Sequence, residues 1–152
     1  MPFSVKDWRD SPDTTTPLNA AALEDMETRL SGYSDDVVTP ESWTAVTFQN
    51  SWVNHGTTLH DAAYTKLPNG LVLLRGAIKN TNTLTFGTVM FTLPAGYRPS
   101  ARRYRFPVWA QVAGGPVQTY LDVASDGTCF TGNPSSEVPT LLSLDGAMFF
   151  VS

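Results

Sequence analysis

Few residues in this sequence could do chemistry, and their spacing limits what they could do. His55 and His60 stand five apart in a stretch that reads as turn and strand. On a strand an odd spacing sends two side chains to opposite faces, unlike the i, i+4 pair that holds zinc from one helix face. Cys129 is the sole cysteine, which excludes an intrachain disulfide and a cysteine-based zinc site. It follows Asp126-Gly127 in a strand-like stretch and reads as a small buried hydrophobe. A Ser-His-Asp triad would need a nucleophile elbow, and no Gly-x-Ser-x-Gly is present. Asn133-Pro134-Ser135-Ser136 reads as an ordinary loop. Glycoside hydrolysis needs two carboxylates about 5–9.5 Å apart across a cleft. Asp35-Asp36 falls in a linker, while Asp61, Asp122, Asp126, Glu137 and Asp145 are scattered; Asp126 and Asp145 each precede glycine, as turn residues do. Gly114-Gly115 lacks the lysine and the following helix of a phosphate-binding loop. The residues therefore indicate no enzyme: no catalytic residue, no metal ligands and no cofactor.

Aromatic residues offer binding chemistry instead. Sugar rings stack on exposed aromatic faces while neighbouring polar groups read their hydroxyls. If Tyr104, Phe106, Val108 and Ala110 point inward along one strand, Trp109 points outward beside Arg103, Arg105 and Gln111. The same alternation places Tyr120 with Gln118 and Asp122 on the outer face of the next strand. Trp109, Tyr120, Arg103, Arg105, Gln111 and Asp122 thus form a candidate ligand-binding set. Trp109 and Tyr120 would serve either as a saccharide platform or as part of a subunit interface, which must also cover such aromatics. Trp43 and Trp52, at the start of the β-region, read as packing at the junction with the preceding helix.

These residues must be positioned by a β-domain. With 152 residues the chain is long enough for one sizeable core. Apolar residues make up 41% and charged residues only 16%, so the surface relies on Thr, Ser, Asn and Gly. The net charge of −4 and the lack of a basic cluster beyond Arg102-Arg103 and Arg105 argue against nucleic acid as the partner. No apolar run approaches the ~20 residues of a membrane span, so no membrane insertion is expected, and the N-terminus lacks the apolar stretch of a signal peptide. Synthesis in a cytoplasm is the default.

Three zones follow in order. Residues 1–15 have no periodicity and read as an extended arm, with Phe3 and Trp8 awaiting a partner or neighbouring subunit. Thr16-Pro17 or Asn19 starts a helix over residues 20–30, and Gly32 stops it. Leu23, Met26, Leu30 and Tyr33 are spaced three, four and three apart, as in a heptad seam. A helix this short is marginal alone in water, so the seam either joins copies in a small parallel bundle or docks on its own β-domain. From residue 43 onward the pattern is β. Asn69-Gly70 marks a hairpin between His60–Lys66 and Leu71–Ile78, because both turn positions tolerate positive φ. Asp126-Gly127 marks another, joining Val117–Val123 to Thr128–Phe130, and Gly114-Gly115 a third. Val89, Phe91 and Leu93 alternate with Met90 and Thr92. The apolar stretch Leu141–Val151 reads as a central strand. Eight or nine strands without a crossover helix predict a mainly β chain, an antiparallel β-sandwich or jelly-roll head preceded by a short α-helix. The boundary divides 1–38, an arm and oligomerising helix, from 39–152, the head.

Two regions resemble a known family. PDTTTPLNAAALEDMETRL is similar to the N-terminal signature of siphophage minor tail and fibre proteins. NGLVLLRGAI, FTLPAGYRPSARRYRFPV, VASDGTCF and LSLDGAMFFVS are similar to phage fibre head domains, Leu93 to Pro99 being the most specific piece. The resemblance covers roughly residues 8–32 and 67–152. It implies a phage tail-fibre or receptor-binding protein: a homotrimer in the virion that contacts other virion proteins through its N-terminal region and a host cell-surface polysaccharide through its head. In that family Arg98 would be a structural anchor. The sequence departs from the pattern in having no shaft between helix and head, which leaves open a purely structural tail-tip, neck or capsid-fibre role. A polysaccharide-depolymerising spike is the third reading.

Overall fold

The computed structural model describes residues 23–31, 40–56, 58–82, 87–132 and 138–151. The arm (1–15), the helix-start residues Thr16, Pro17 and Asn19, and also Gly32, Tyr33, Asp35-Asp36, the loop 133–136 and Glu137, lie outside the described residues. The chain divides into two compact units, Met1–Val37 and Val38–Ser152.

Residues 23–31 of the first unit are helical. The Thr28 hydroxyl donates to the Glu24 carbonyl one turn back (2.8 Å), and Arg29 pairs with Asp25 at 3.7 Å. Such exposed pairs contribute only about 0.3–0.5 kcal/mol. Leu23, Met26 and Leu30 are 47%, 42% and 64% exposed. The heptad seam is therefore an uncovered apolar stripe.

The second unit is antiparallel β throughout its described strands. One sheet contains β1 (Thr44–Ala45), β3 (Ala63–Lys66), β4 (Leu71–Arg75) and β11 (Met148–Phe150), in the order β1-β3-β4-β11. The other contains β2 (Trp52–Asn54), β5 (Ala77–Asn80), β6 (Val89–Thr92), β7 (Tyr104–Val112), β8 (Gly115–Val123), β9 (Thr128–Thr131) and β10 (Leu141–Ser143), in the order β2-β5-β10-β7-β8-β9-β6. The sandwich matches the sequence expectation, but its strands are shorter and more numerous because several bend from one sheet into the other.

That bend is concentrated at Gly76, between β4 and β5. The paired chain makes the same crossing between β10 and β11, through Asp145-Gly146. Gly76 adopts φ +103°, and a Cβ there would lie 2.5 Å from the Asp61 carbonyl oxygen. The Gly76 N–H donates to an Asp145 carboxylate oxygen at 2.8 Å, and the Gly76 carbonyl accepts from the Leu144 N–H at 2.8 Å. The segment between β2 and β3 crosses beside it: the His55 N–H donates to the Ala77 carbonyl, the Ala77 N–H to the His60 carbonyl, and Asn54 Oδ1 accepts from the Ala62 N–H. The backbones of His55 and His60 thus bracket Ala77. Among the described residues, no three of His, Cys, Asp and Glu converge as a metal site would require.

The core lies between the sheets. Trp52, Val72, Leu74, Ile78, Met90, Phe91, Leu93, Leu121, Leu142 and Phe149 are all nearly inaccessible. Each such side chain stabilises by about 1.5–3 kcal/mol, far more than any exposed ion pair, so this packing dominates the fold. Trp52 is inside this core, and Trp43 is 39% exposed with its ring against the Arg75 guanidinium. Cys129 is buried, as its setting suggested, and burial pushes its thiol pKa up.

Other expectations are corrected in detail. The β3–β4 hairpin turns through Leu67-Pro68-Asn69-Gly70, with the Gly70 N–H donating to the Leu67 carbonyl and only Gly70 at positive φ (+84°). Proline presets the first turn position, so the glycine closes the turn instead of sitting at its centre. Ala124-Ser125-Asp126-Gly127 repeats the design, with the Thr128 hydroxyl and N–H holding the Asp126 carboxyl below its usual range. In the β7–β8 hairpin Gly115 pairs with Val112, so Ala113-Gly114 forms the tip. Simple alternation fails in β6: an irregularity between Val89 and Phe91 buries Met90 and Phe91 together. The final apolar stretch splits into β10, central in its sheet, and β11, an edge strand.

The Leu93–Pro99 element braces the two sheets. The Leu93 N–H donates to the Gly127 carbonyl (2.9 Å), and Arg98 Nε donates to the Leu93 carbonyl (2.7 Å), so Arg98 does anchor this loop. A Cβ on Gly127 would meet both partners, at 2.4 Å and 2.7 Å. Tyr97 packs edge-on against Tyr64 at 4.8 Å and donates its hydroxyl to Glu41, which also pairs with Lys66 at 3.4 Å. That hydrogen bond, then burial, pushes the Tyr97 phenol up to about 12, and the same bond lowers Glu41.

Two outcomes follow from these contacts. Gly76→Ala should destabilise the domain by about 3 kcal/mol or more, because it adds positive-φ strain to a backbone clash; denaturant titration measures this. Because the folded-state pKa of Tyr97 lies above its unfolded value, its stabilisation is complete below about pH 10 and is lost as pH rises through about 12. Phenolate absorbance should therefore show a late step near pH 12 that Tyr97→Phe removes.

Candidate functional site

The longest hairpin, β7–β8, builds the candidate site because its pleat sorts side chains by parity. Its register pairs Arg105 with Asp122, Pro107 with Tyr120, Trp109 with Gln118 and Gln111 with Pro116. Directly opposed residues share a face, so all eight project to the outside. Val108, Ala110, Val112, Leu121 and Val123 project inward and are buried. Tyr104 shares the inward face with its partner Val123. It stays 43% exposed at the strand end, stacked 5.6 Å from Phe149 and 6.2 Å from Phe106.

The structure brings Arg103, Arg105, Tyr120 and Asp122 into one cluster. Arg105 grips the Asp122 carboxylate with two parallel bonds of 2.8 Å, Nε to Oδ1 and a terminal nitrogen to Oδ2, and Arg103 adds a third at 3.2 Å. This forked geometry is the strong form of the ion pair. Asp122 is 0% exposed, while both guanidiniums remain about half exposed. Asp122 therefore cannot meet a ligand, as the sequence reading had it do; it aims the two arginines. Among the described residues, no other residue of this face of β7 and β8 is acidic.

Each arginine also lies over a ring. The Arg105 guanidinium is 3.8 Å from the Tyr120 centroid, and that of Arg103 is 4.9 Å from the centroid of Phe130. At the far end of Tyr120, a Cβ on Gly132 would come within 2.3 Å of the ring. Tyr120 is thus wedged between Arg105 and the Gly132 backbone, and serves as a floor instead of a free stacking surface. Trp109 is 46% exposed and does offer an open face. Its surroundings are polar: Gln118 directly across, and Gln111 two residues along, whose amide donates to the Val112 carbonyl at 3.1 Å. Beside Arg103 an open depression of about 410 Å³ is lined by Ser100, Ala101, Arg102, Arg103 and Tyr104.

Sequence reading missed Phe130 and Gly132. Phe130 was legible in principle, since β9 pairs it with Asp122, but its register depends on the length of the Asp126-Gly127 turn. Gly132 carries no local signal, because only the ring packed on it demands glycine.

Chemically, the face provides one apolar plate, two fixed cationic donors with several N–H groups each, and two amides. That set can stack a sugar ring and hydrogen-bond its substituents.

No protein-family model matches this chain, and no curated protein does. Among solved structures, the receptor-binding protein gp15 of Listeria phage PSA superposes with a TM-score of 0.65 at 20% identity, covering 87% of this chain and 77% of that one. The head domain of the lactococcal phage bIL170 superposes with a TM-score of 0.51 at 16% identity, covering 73% of this chain and 98% of that one. At these identities the likeness is one of fold: the β-domain has the fold of phage receptor-binding head domains.

Asp122→Ala would leave two guanidiniums side by side without their shared carboxylate. Loss of the charged hydrogen bonds should lower Tm by on the order of 5 °C. Mobile Arg103 and Arg105 side-chain resonances in NMR spectra would show that Asp122 orients them.

Proposed function

We propose that this chain is a phage virion protein whose head, residues 39–152, attaches to a glycan on the host cell surface. The observation that carries this reading is the exposed face of Trp109, on the same face of the hairpin as arginines held by Asp122. The shared fold with two phage receptor-binding proteins supports the same reading. Trp109 belongs to the ligand and not to a subunit contact in this proposal. Its neighbours include the amides of Gln118 across and Gln111 two residues along, which can hydrogen-bond sugar hydroxyls.

Residues 1–38 would join the head to other virion proteins. The uncovered seam of Leu23, Met26 and Leu30 would bundle copies into a homotrimer. Three weak sites on one rigid assembly then gain strength through effective concentration. Tyr120 contributes by holding Arg105; Arg103, Arg105 and Gln111 would contact the sugar, with the depression at Ser100–Tyr104 as an extension of the site.

The test is binding to purified host cell-wall glycan. Trp109→Ala should weaken it by at least about tenfold while leaving solution mass and thermal unfolding unchanged. Undiminished binding would remove Trp109 from the site, and dissociation of the oligomer would assign it to the subunit interface. Absence of any glycan binding by the unaltered protein would favour a purely structural virion role, and release of reducing ends would favour a depolymerase.

A further inference from the structure

Trp109 has a second flank, built by a strand that local sequence did not connect with it. β10 lies against β7 on the side away from β8. Its register sets Leu141 across from Gln111 and Leu142 across from Ala110. One step further along that register, Ser143 stands across from Trp109. Leu142 is buried in the core, so Ser143 projects to the outer face, where it is partly exposed. Gln118 and Ser143 therefore flank Trp109 from its two sides.

Asp145, two residues on and exposed, extends this flank. Its N–H donates to Ser143 Oγ at 3.2 Å, and the Ser143 hydroxyl donates to Asp145 Oδ2 over 3.4 Å. Asp145 Oδ1 accepts the Gly76 N–H at 2.8 Å. The two carboxylate oxygens thus differ. Oδ1 belongs to the corner of the fold and holds the carboxylate in place. Oδ2 has a long contact at the limit of a hydrogen bond, so it and the Ser143 hydroxyl keep bonding capacity for a better-placed group.

We infer that Ser143 and Asp145 bind the hydroxyls on one edge of the sugar that stacks on Trp109. An ionised carboxylate accepts hydrogen bonds and donates none, so Oδ2 selects an edge with free hydroxyls. An acylated hydroxyl would bring an acceptor to an acceptor, and an anionic substituent would be repelled. Gln118, on the other side, offers both a donor and an acceptor and takes either kind of substituent. The unequal flanks set the direction in which the ring lies across the strands. Because the Gly76 N–H already orients the carboxylate, little side-chain freedom is lost on contact.

This inference rests on the glycan reading above, and Asp145→Asn separates the two. That variant keeps an oxygen for the Gly76 N–H and replaces Oδ2 with an amide nitrogen that cannot accept. Calorimetry of the full-length protein with polysaccharide purified from the host cell wall measures the effect, and near-UV circular dichroism checks the fold. Asp145→Asn should weaken binding at least about tenfold, and Ser143→Ala about threefold. Partial O-acetylation of the polysaccharide should cost Asp145→Asn less affinity than it costs the unaltered protein, a difference that a merely structural role would not produce. Unchanged affinity of folded Asp145→Asn, with Trp109→Ala still weakened, would overturn the inference and leave the glycan reading standing. Equal losses on O-acetylation would overturn it as well. Undiminished binding by Trp109→Ala would overturn it by moving the sugar off the indole, and no binding by the unaltered protein would overturn both readings. If Asp145→Asn does not fold, Ser143→Ala decides the matter, and full affinity there would overturn the inference.

Discussion

A backbone approach closer than any side chain would permit organises the β-domain. At Gly76 the chain turns from one sheet into the other against the Asp61 carbonyl, and the Asp145 carboxylate takes up the freed N–H. The paired crossing at Asp145-Gly146 and the neighbouring segment between β2 and β3 are tied to the same corner by backbone bonds. Remove the close approach and three crossings lose their common anchor. The corner fixes how the sheets face one another and so where the core residues meet.

From that corner the domain sends two different surfaces outward. The seven-stranded sheet carries its charges in a fixed geometry, with Asp122 buried beneath two arginines that lie on Tyr120 and Phe130. Such pre-arrangement removes the cost of ordering flexible arginines on contact, about 0.5–1.5 kcal/mol per side chain. The four-stranded sheet is nearly free of charge on its outer face, and its edge strand carries Met148 and Phe150. One surface combines fixed charges with the open ring of Trp109, and the other is mainly apolar.

Much of this was legible in the residues. Period-two alternation placed Trp109, Gln111, Tyr120 and Asp122 on one face of a hairpin, because a strand's pleat leaves no other choice once the inward set is apolar. Glycines at Asn69-Gly70 and Asp126-Gly127 located two hairpins, though each glycine closes its turn instead of forming the centre. Alternation misled where an irregularity intervened, as at Val89 to Phe91. It also could not distinguish an outward carboxylate that meets solvent from one sealed under its neighbours, which is the case of Asp122.

The sequence by itself determined the class of fold, the hairpin that bears the candidate site, the parity of its side chains and the apolar stripe of the helix, since all of these depend on local periodicity and turn chemistry. Tertiary structure alone decided the rest. That Gly76 and Gly132 must be glycine depends on Asp61 and Tyr120, which reach them from elsewhere in the chain. That the Tyr120 ring is covered and the Trp109 ring open depends on which of them an arginine reaches. That β11 is an edge depends on the sheet order, and strand order across two sheets is a long-range arrangement with no short-range signature.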